Sequence, residues 1–449
     1  MILIKQLIIL LIVMLALFLI MCVFSNRNGN ILKFLSPQIM FVGCFIPGVI
    51  YAFWYVDKWN LHISNMTIVA IILGLLIFVV FSYLTSSIYD YILFNPIYLK
   101  KAKFKRNSMS DINSKVEGWK VIVLIIVQLI SLLLTVLFLL KNYGLNLSDA
   151  MFMYRSSTAS GDDAIPLPGI IKLIRRIALS SGYIVTYLYL NGIVYKSKKN
   201  RALEIVCIIL AIINGFLLGG RGDGIQIIIA AIVQYMALKV YKNKSIKVIP
   251  FKDILKVIVI LGCIIASFTQ LGELLGRQMD FLKYNDYIAV YLSAELKNLD
   301  TFIVSGDFGH PLTESLTLYS IVNSLGSMFN QPAWIHSFDI PFRYYGHYAL
   351  GNVGTIFYPF VYDSGLVGVV YYTAFMAVFC QIFYKNFLKA DKKGNIDLNV
   401  IFYSYLAYII LFSFFSNKFY EMIFNTSFLW CIVSWILLKY FLLRIRVKV

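Results

Sequence analysis

Apolar runs of about twenty residues recur along the whole chain, and a helix of that length crosses the ~30 Å hydrocarbon core of a bilayer. Inside that core every backbone polar group must be paired within the protein, so a segment that crosses it is helical or part of a closed barrel. Charged residues make up only 14% of the chain, against about a quarter in soluble domains. The sequence therefore predicts an all-α, polytopic membrane protein.

The predicted spans number about eleven, in a range of about ten to twelve, and form a single transmembrane domain over residues 1–449. They are 7–24, 37–55, 66–86, 119–140, 177–195, 203–219, 224–241, 253–271, 364–384, 399–415 and 422–443. The first run lacks a small-residue cleavage site and is followed by further spans. We therefore expect a retained helix there rather than a signal peptide.

The net charge of +18 is spread over short Lys and Arg clusters between the apolar runs. This distribution encodes membrane orientation, because positive charge collects in cytoplasmic loops; it does not indicate nucleic-acid binding. The basic, and therefore cytoplasmic, segments are 100–120, 196–201, 239–256, 385–393 and 444–449. Alternation then assigns the external side to 141–176, 219–224, 272–363 and 416–421.

The external segment 272–363 is too long for a mere connection. Two stretches within it, 284–306 and 311–329, have mixed helical periodicity. We expect them to form amphipathic helices on or in the outer leaflet. The whole segment is predicted to form a large extracytoplasmic loop that caps an active site.

Arginine is enriched on the predicted outer side, whereas most cytoplasmic positive charges are lysines. The external arginines are Arg155, Arg175, Arg176, Arg221, Arg277 and Arg343. A guanidinium group is a planar fork that binds phosphate through two hydrogen bonds, so this bias suits a pyrophosphate ligand at the membrane surface. For Arg175, Arg176 and Lys172, a role as interface anchors with heads in water fits equally well.

The sequence GGRGDG (219–224) breaks two apolar runs with a tight turn. The turn holds Arg221 and Asp223 at the outer ends of two helices, and the following helix offers its positive end there. We favour an anion-binding role for Arg221. The alternative is a simple turn in which Asp223 pairs with Arg221.

Aromatic and polar residues are dense in 336–365, which includes Arg343, Tyr344, Tyr345 and His347. Aromatic faces with interleaved polar groups suit a sugar-binding cleft, but they also occur in the aromatic belt at a membrane surface. For any single tyrosine the belt is the better interpretation. For the cluster with Arg343 and His347 we favour a site.

A general base is sought among external residues that can titrate near neutral pH. We rank Glu314 and His347 equally and His310 behind them, with Asp339 and Glu295 next. No His, Cys, Asp or Glu grouping has convincing metal-ligand spacing, and no Walker A motif, Rossmann fingerprint or nucleophile elbow occurs. The sequence therefore predicts neither a metal nor a cofactor.

The order of these motifs resembles a known family. GGRGDG lies between two central spans, and the large external loop follows two spans later and ends in GNVGTIFYPFVYDSGLVG (351–368), with a D-x-G-x-x-G run that leads into a span. This arrangement is similar to the O-antigen and capsule repeat-unit polymerases, the Wzy family, in detail over about residues 200–390 and elsewhere only in topology.

The resemblance implies a metal-independent, inverting glycosyltransferase of the GT-C type with its site on the extracytoplasmic face of the bacterial cytoplasmic membrane. Both substrates would be undecaprenyl-pyrophosphate-linked oligosaccharides. Arg221, Arg277 and Arg343 match the arginines that hold pyrophosphate, and Arg176 is a further external candidate. Asp363 carries over from the D-x-G-x-x-G run as a sugar-binding or architectural residue. Asp223 of the GGRGDG turn is a candidate for the same kind of role. Implied partners are membrane lipids, a chain-length regulator and a flippase.

Two other functions stay open at this stage. A lipid-linked oligosaccharide flippase or another secondary transporter would carry charged residues within its spans and show repeat symmetry. An O-antigen ligase uses the same lipid-linked donor but transfers the glycan to a lipid A core, and the sequence does not separate it from a polymerase.

Overall fold

The structure is a computed structural model that describes residues 2–26, 31–94, 116–160, 165–197, 200–242, 284–336, 340–389 and 395–444, with Ile112 and isolated positions between 259 and 273. Its helices are α1 (Ile2–Asn26), α2 (Pro37–Phe53), α3 (Asn65–Phe94), α4 (Gly118–Tyr143), α5 (Leu147–Ser160), α6 (Gly169–Tyr195), α7 (Arg201–Phe216), α8 (Gly222–Lys242), α9 (Tyr284–Ser305), α10 (Tyr319–Met328), α11 (Phe357–Leu388), α12 (Leu398–Leu411), α13 (Lys418–Ile423) and α14 (Thr426–Arg444). Within these ranges the strands are β1 (Arg343–Tyr345) and β2 (Tyr348–Gly351), which form one antiparallel hairpin.

Seven of the described helices are long and apolar enough to cross a membrane: α1, α3, α4, α6, α8, α11 and α14. The predicted class, a helical multi-pass membrane protein, is confirmed at this level. Two further apolar helices, α2 and α12, have 17 and 14 residues, shorter than the ~20 residues of a straight span. The predicted span 253–271 lies outside the continuously described residues. The count of about eleven stays a prediction.

Several of these helices carry their apolar side chains outward. Examples are Ile8, Ile12 and Leu19 on α1 and Leu437 on α14, all of which are exposed. A soluble monomer rarely exposes such continuous apolar surface. Hydrocarbon chains of a bilayer accept it without cost, since lipid is as apolar as leucine.

The chain divides into two compact units, and the first comprises residues 1–103, 281–388 and 409–425. In this unit α3 and α11 have the most extensive contact. The ring of Phe357 fills the space that a side chain at Gly74 would occupy. Phe41 and Phe78 stack with ring centroids 4.0 Å apart, so aromatic packing builds the centre of the unit.

Helix α9 belongs to the interior of the first unit. Its Ser293 Oγ donates to the Gly48 carbonyl of α2 at 2.9 Å, and a Cβ on Gly48 would collide with the Leu292 carbonyl oxygen. The Asp300 carboxylate accepts hydrogen bonds from Ser64 N and Thr67 Oγ1, both at 2.7 Å, at the start of α3. The predicted helix is therefore present, and most of its described side chains are buried within the first unit.

The second predicted amphipathic helix, 311–329, is shorter than its periodicity suggested. Only Tyr319–Met328 forms an α-helix, after one 3₁₀ turn at Leu312–Glu314. Pro311 fixes the start of that turn, and the residues that follow it are hydrogen-bonded to Asp363 instead of continuing a helix. Contacts outside the segment thus decided its local structure.

The second unit comprises residues 104–280, 389–408 and 426–449, and its core is a bundle of α4, α6, α7 and α8 with α14 against α6. Buried amides connect these helices. Asn214 Nδ2 donates to Gln128 Oε1 at 2.7 Å, Gln128 Nε2 donates to Ser181 Oγ at 2.9 Å, and Ser131 Oγ donates to Asn214 Oδ1 at 2.8 Å. Side-chain hydrogen bonds of this kind hold helices together in lipid, where apolar burial does not.

Candidate functional site

The GGRGDG turn of the second unit fits closely against its neighbours. A Cβ on Gly219, where φ is +73°, would lie 2.7 Å from the Met151 carbonyl oxygen and 3.0 Å from Arg155 Cβ. A Cβ on Gly222, at the start of α8, would lie 2.9 Å from the Tyr408 hydroxyl. The glycines are thus required both for backbone conformation and for close approach. They bring the turn against α5.

Three arginines gather around this turn, and we call Arg155, Arg175 and Arg221 the arginine cluster. Arg221 is buried in the turn. Asp223, in the first turn of α8, interacts electrostatically with Arg175 of α6. Tyr154 of α5 lies within electrostatic range of both Arg155 and Arg175. One carboxylate among three guanidinium groups leaves the cluster positive, at the positive end of α8.

Arg175 is the residue of the cluster that most needs a ligand. Its side chain is only 5% exposed, and neither terminal guanidinium nitrogen has a hydrogen-bond partner within the described part of the chain. Burying a charged group without hydrogen bonds is costly. An anion bound at the turn would remove that cost through charge-assisted hydrogen bonds.

The sequence had favoured the neighbouring residue. Arg176 is only partly buried and donates to Ser427 Oγ at 2.7 Å. Arg175 and Arg176 occupy adjacent positions near the start of one candidate span, so no sequence signal distinguished them. Arg277, another predicted pyrophosphate ligand, lies outside the described residues.

Asp363, in the first unit, is an anchor. Its carboxylate is buried and accepts hydrogen bonds from Ser315 Oγ at 2.6 Å, from Leu316 N at 2.9 Å and from Thr317 N at 3.2 Å. These bonds use both carboxylate oxygens and tie the 315–317 segment to α11. The architectural role is therefore the one that the contacts around Asp363 support.

The glycines of the D-x-G-x-x-G run shape a break in α11. Ser364 and Gly365 are non-helical, and Gly365 has φ +60° and ψ −146°, a conformation almost confined to glycine. A Cβ on Gly368 would collide with the Phe360 carbonyl oxygen across the break. The run thus encodes a kink that presents Asp363 to the loop.

Two of the predicted bases meet beside this kink. The His310 ring stacks on Tyr362, with centroids 3.8 Å apart and planes inclined by 5°. His310 Nε2 lies 3.2 Å from Asp307 Oδ1, and His310 Nδ1 lies 3.8 Å from Glu314 Oε2. Because the helical turn begins after Pro311, the loop rather than a shared helix face brings His310 and Glu314 together.

The other predicted sugar-site residues lie on the β-hairpin. Arg343 pairs with Gly351 in register, Tyr345 pairs with Tyr348, and His347 is exposed in the connecting turn. Arg343 and His347 are therefore at opposite ends of the hairpin. Tyr344 is exposed, and Lys297 of α9 lies over the Tyr345 ring, 5.7 Å from its centroid.

Glu295 of α9 is a buried acid that the sequence had ranked low. Its side chain is 1% exposed, and neither carboxyl oxygen has a hydrogen-bond partner among the described residues. Burial raises its pKa well above the ordinary value, because an apolar environment disfavours the charged form. Asp339, the companion candidate, lies outside the described residues.

Within the described residues no group of three or more His, Cys, Asp or Glu side chains could hold a metal ion. No protein-family model matches the chain, and no curated protein and no solved structure matches it either.

Proposed function

We propose that this protein polymerises undecaprenyl-pyrophosphate-linked oligosaccharide repeat units on the extracytoplasmic face of the bacterial cytoplasmic membrane. The observation that carries the proposal is the arginine cluster, in which buried Arg175 has no hydrogen-bond partner on either terminal nitrogen among the described residues. A pyrophosphate would supply negative charge and acceptor oxygens for the two guanidinium nitrogens that have no partner. The proposal includes a GT-C type of architecture with about eleven spans, each ~20 residues long, and 272–363 as the cap.

In the proposed reaction a hydroxyl of the acceptor sugar attacks the anomeric carbon of the donor from the side opposite the pyrophosphate. A new glycosidic bond forms, the bond to the lipid pyrophosphate breaks with its electron pair, and the anomeric configuration inverts. The hydroxyl proton passes to a base, for which the candidates are Glu314, His347 and His310. The arginine cluster orients the donor and stabilises the charge that develops on the leaving group.

One observation favours the flippase as a second candidate. Arg175 is buried within α6, a candidate span, and ionisable residues inside spans are typical of transport pathways. A deletion strain separates the functions by its glycans. Loss of a polymerase leaves single repeat units, loss of a ligase leaves long chains on undecaprenol, and loss of a flippase leaves lipid-linked units on the cytoplasmic side.

Arg175→Gln tests directly whether the buried Arg175 guanidinium binds the pyrophosphate. The variant keeps most of the side-chain volume but removes the charge, so we expect purified protein in proteoliposomes to lose polymerisation of lipid-linked repeat units by about 10²–10³-fold, as for one lost oxyanion contact. Arg175→Lys keeps the charge without the fork and should recover only part of the rate. Lys172→Gln, an exposed position on the same helix, is the matched control. Wild-type chain growth by folded Arg175→Gln would refute the proposed anion site.

A further inference from the structure

The residues between α9 and the hairpin form a small module with an uncovered surface. The 3₁₀ turn Leu312–Glu314, helix α10 and a second 3₁₀ turn, Pro332–Trp334, contact one another. No Asp, Glu, Lys or Arg occurs between Glu314 and Asp339. Beyond Glu314, the module therefore has no Asp, Glu, Lys or Arg side chain, in a loop that is otherwise rich in polar groups.

Several large apolar side chains of the module are exposed. Leu325 and Met328 of α10 and Phe329, which directly follows it, occupy positions three and four residues apart that face the same side, and the Met328 and Phe329 side chains are 75% and 57% exposed. Ile335 is exposed as well, and its Cγ1 atom lies 3.1 Å from where a Cβ of Gly326 would be. Since Gly326 is one turn before Phe329, Ile335 extends the same surface. We call these four residues the apolar patch.

The module is fixed to a helix that can cross the membrane. Asp363, which accepts hydrogen bonds from Ser315 and Leu316, is the seventh residue of α11, one of the candidate spans. That position is about 9 Å along the helix axis from its first residue, at 1.5 Å per residue. The tether therefore keeps the module close to the first residues of a candidate span.

We propose that the apolar patch inserts into the lipid bilayer, with acyl chains as its partner. An uncharged helix with one exposed apolar face, held beside the end of a span, fits the boundary between headgroups and acyl chains. Trp334, partly exposed at the edge of the module, has the side chain that prefers that boundary. The loop that carries the candidate residues His310 and Glu314 is then held on the membrane by its own apolar contact.

Spin labelling of the full chain in single-copy nanodiscs of phosphatidylethanolamine and phosphatidylglycerol tests this inference. After replacement of the native cysteines, nitroxide labels are attached to Met328→Cys, Ser327→Cys and Leu437→Cys. Ser327 is exposed and lies on the side of α10 opposite Phe329, and Leu437 is an exposed residue of a candidate span. Collisions with oxygen report lipid, and collisions with a water-soluble nickel chelate report water.

We expect the oxygen-to-nickel collision ratio at position 328 to match that at 437 and to exceed that at 327 severalfold. Equal ratios at 328 and 327 would place the patch in water and overturn the inference. Shielding of 328 from both reagents would mean that protein covers the patch, which overturns it too. If the Met328→Cys variant is not monodisperse, Leu325→Cys replaces it. The measurement involves no glycosyl transfer and is independent of the proposed function.

Discussion

At the scale of single residues, the buried polar groups of this protein fall into two kinds. Asp363 has three donors within 3.2 Å, whereas the terminal nitrogens of Arg175 and the carboxyl oxygens of Glu295 have no hydrogen-bond partner in the described chain. A satisfied buried group stabilises a structure, and an unsatisfied one costs free energy that a ligand or a proton can return. This difference separates architecture from candidate function.

Asp363→Asn should destabilise the protein. The amide retains one acceptor oxygen and turns its NH₂ toward groups that donate, so the loss of charge-assisted hydrogen bonds should cost about 1.5–3 kcal/mol. Thermal unfolding in detergent measures the effect as a lower midpoint. Asp307→Asn is the control, since the Asp307 side chain is 66% exposed. Unchanged stability of Asp363→Asn would contradict the anchoring role.

Glu295 should make stability depend on pH. Because burial raises its pKa above the ordinary value of 4.5, the folded state binds the proton more tightly than the unfolded state. Its contribution to stability is then complete below the unfolded pKa and declines as the pH rises toward the folded pKa. Chemical unfolding at several pH values should show a decline that Glu295→Gln removes. Glu314→Gln, at a side chain that is 59% exposed, should leave it in place.

At the scale of elements, the kink in α11 decides where the segment 309–317 attaches. The break at Ser364 and Gly365 turns the helix just after Asp363, and the Gly309 N–H donates to the Tyr362 carbonyl at 3.0 Å. The kink is thus a docking point for both ends of the 309–317 segment. A glycine is needed because other residues are strained in this backbone region.

Gly365→Ala should disturb this docking point. A Cβ in the φ and ψ region of Gly365 costs about 1–3 kcal/mol, and any relief by a straighter helix would move Asp363 away from its donors. We expect a lower unfolding midpoint in detergent and faster proteolysis within the segment 309–317. Gly169→Ala, at the first residue of α6 with open space around it, is the control. Equal behaviour of the two variants would argue against a strained kink.

At the scale of the whole molecule, orientation in the membrane follows from the loops. The lysine-rich segments between the apolar runs are predicted to be cytoplasmic because positive charge is retained on that side. The same prediction assigns the candidate sites, the GGRGDG turn among them, to the outer face. This assignment governs which substrates the protein can meet.

Cysteine labelling checks the orientation. In a cysteine-free chain, Leu145→Cys should react with an impermeant thiol reagent added to intact cells, because Leu145 is 94% exposed between α4 and α5 in a predicted external segment. Ser108→Cys, in the basic segment 100–120, should react only after the cells are permeabilised. Labelling of position 108 in intact cells would invert the topology and, with it, the proposed function.

The sequence by itself determined the class of the protein. Apolar length and the clustering of lysines act locally, through the free energy of placing each segment in lipid or water, so the long runs of α1, α3 and α4 could be recognised one at a time. The GGRGDG turn was visible for a similar reason, since glycines specify backbone conformation without reference to distant residues.

Only the tertiary structure decided the roles of individual side chains. Arg175 and Arg176 are neighbours in sequence, but the two terminal nitrogens of buried Arg175 have no hydrogen-bond partner among the described residues, whereas Arg176 donates to Ser427. The sequence marked Asp363 only as part of a motif, and the structure shows that Ser315, 48 positions away, donates a hydrogen bond to it. Such partners come from segments that only the folded chain brings together. Burial and hydrogen bonding determine whether a polar group anchors a loop or is a candidate for binding a ligand.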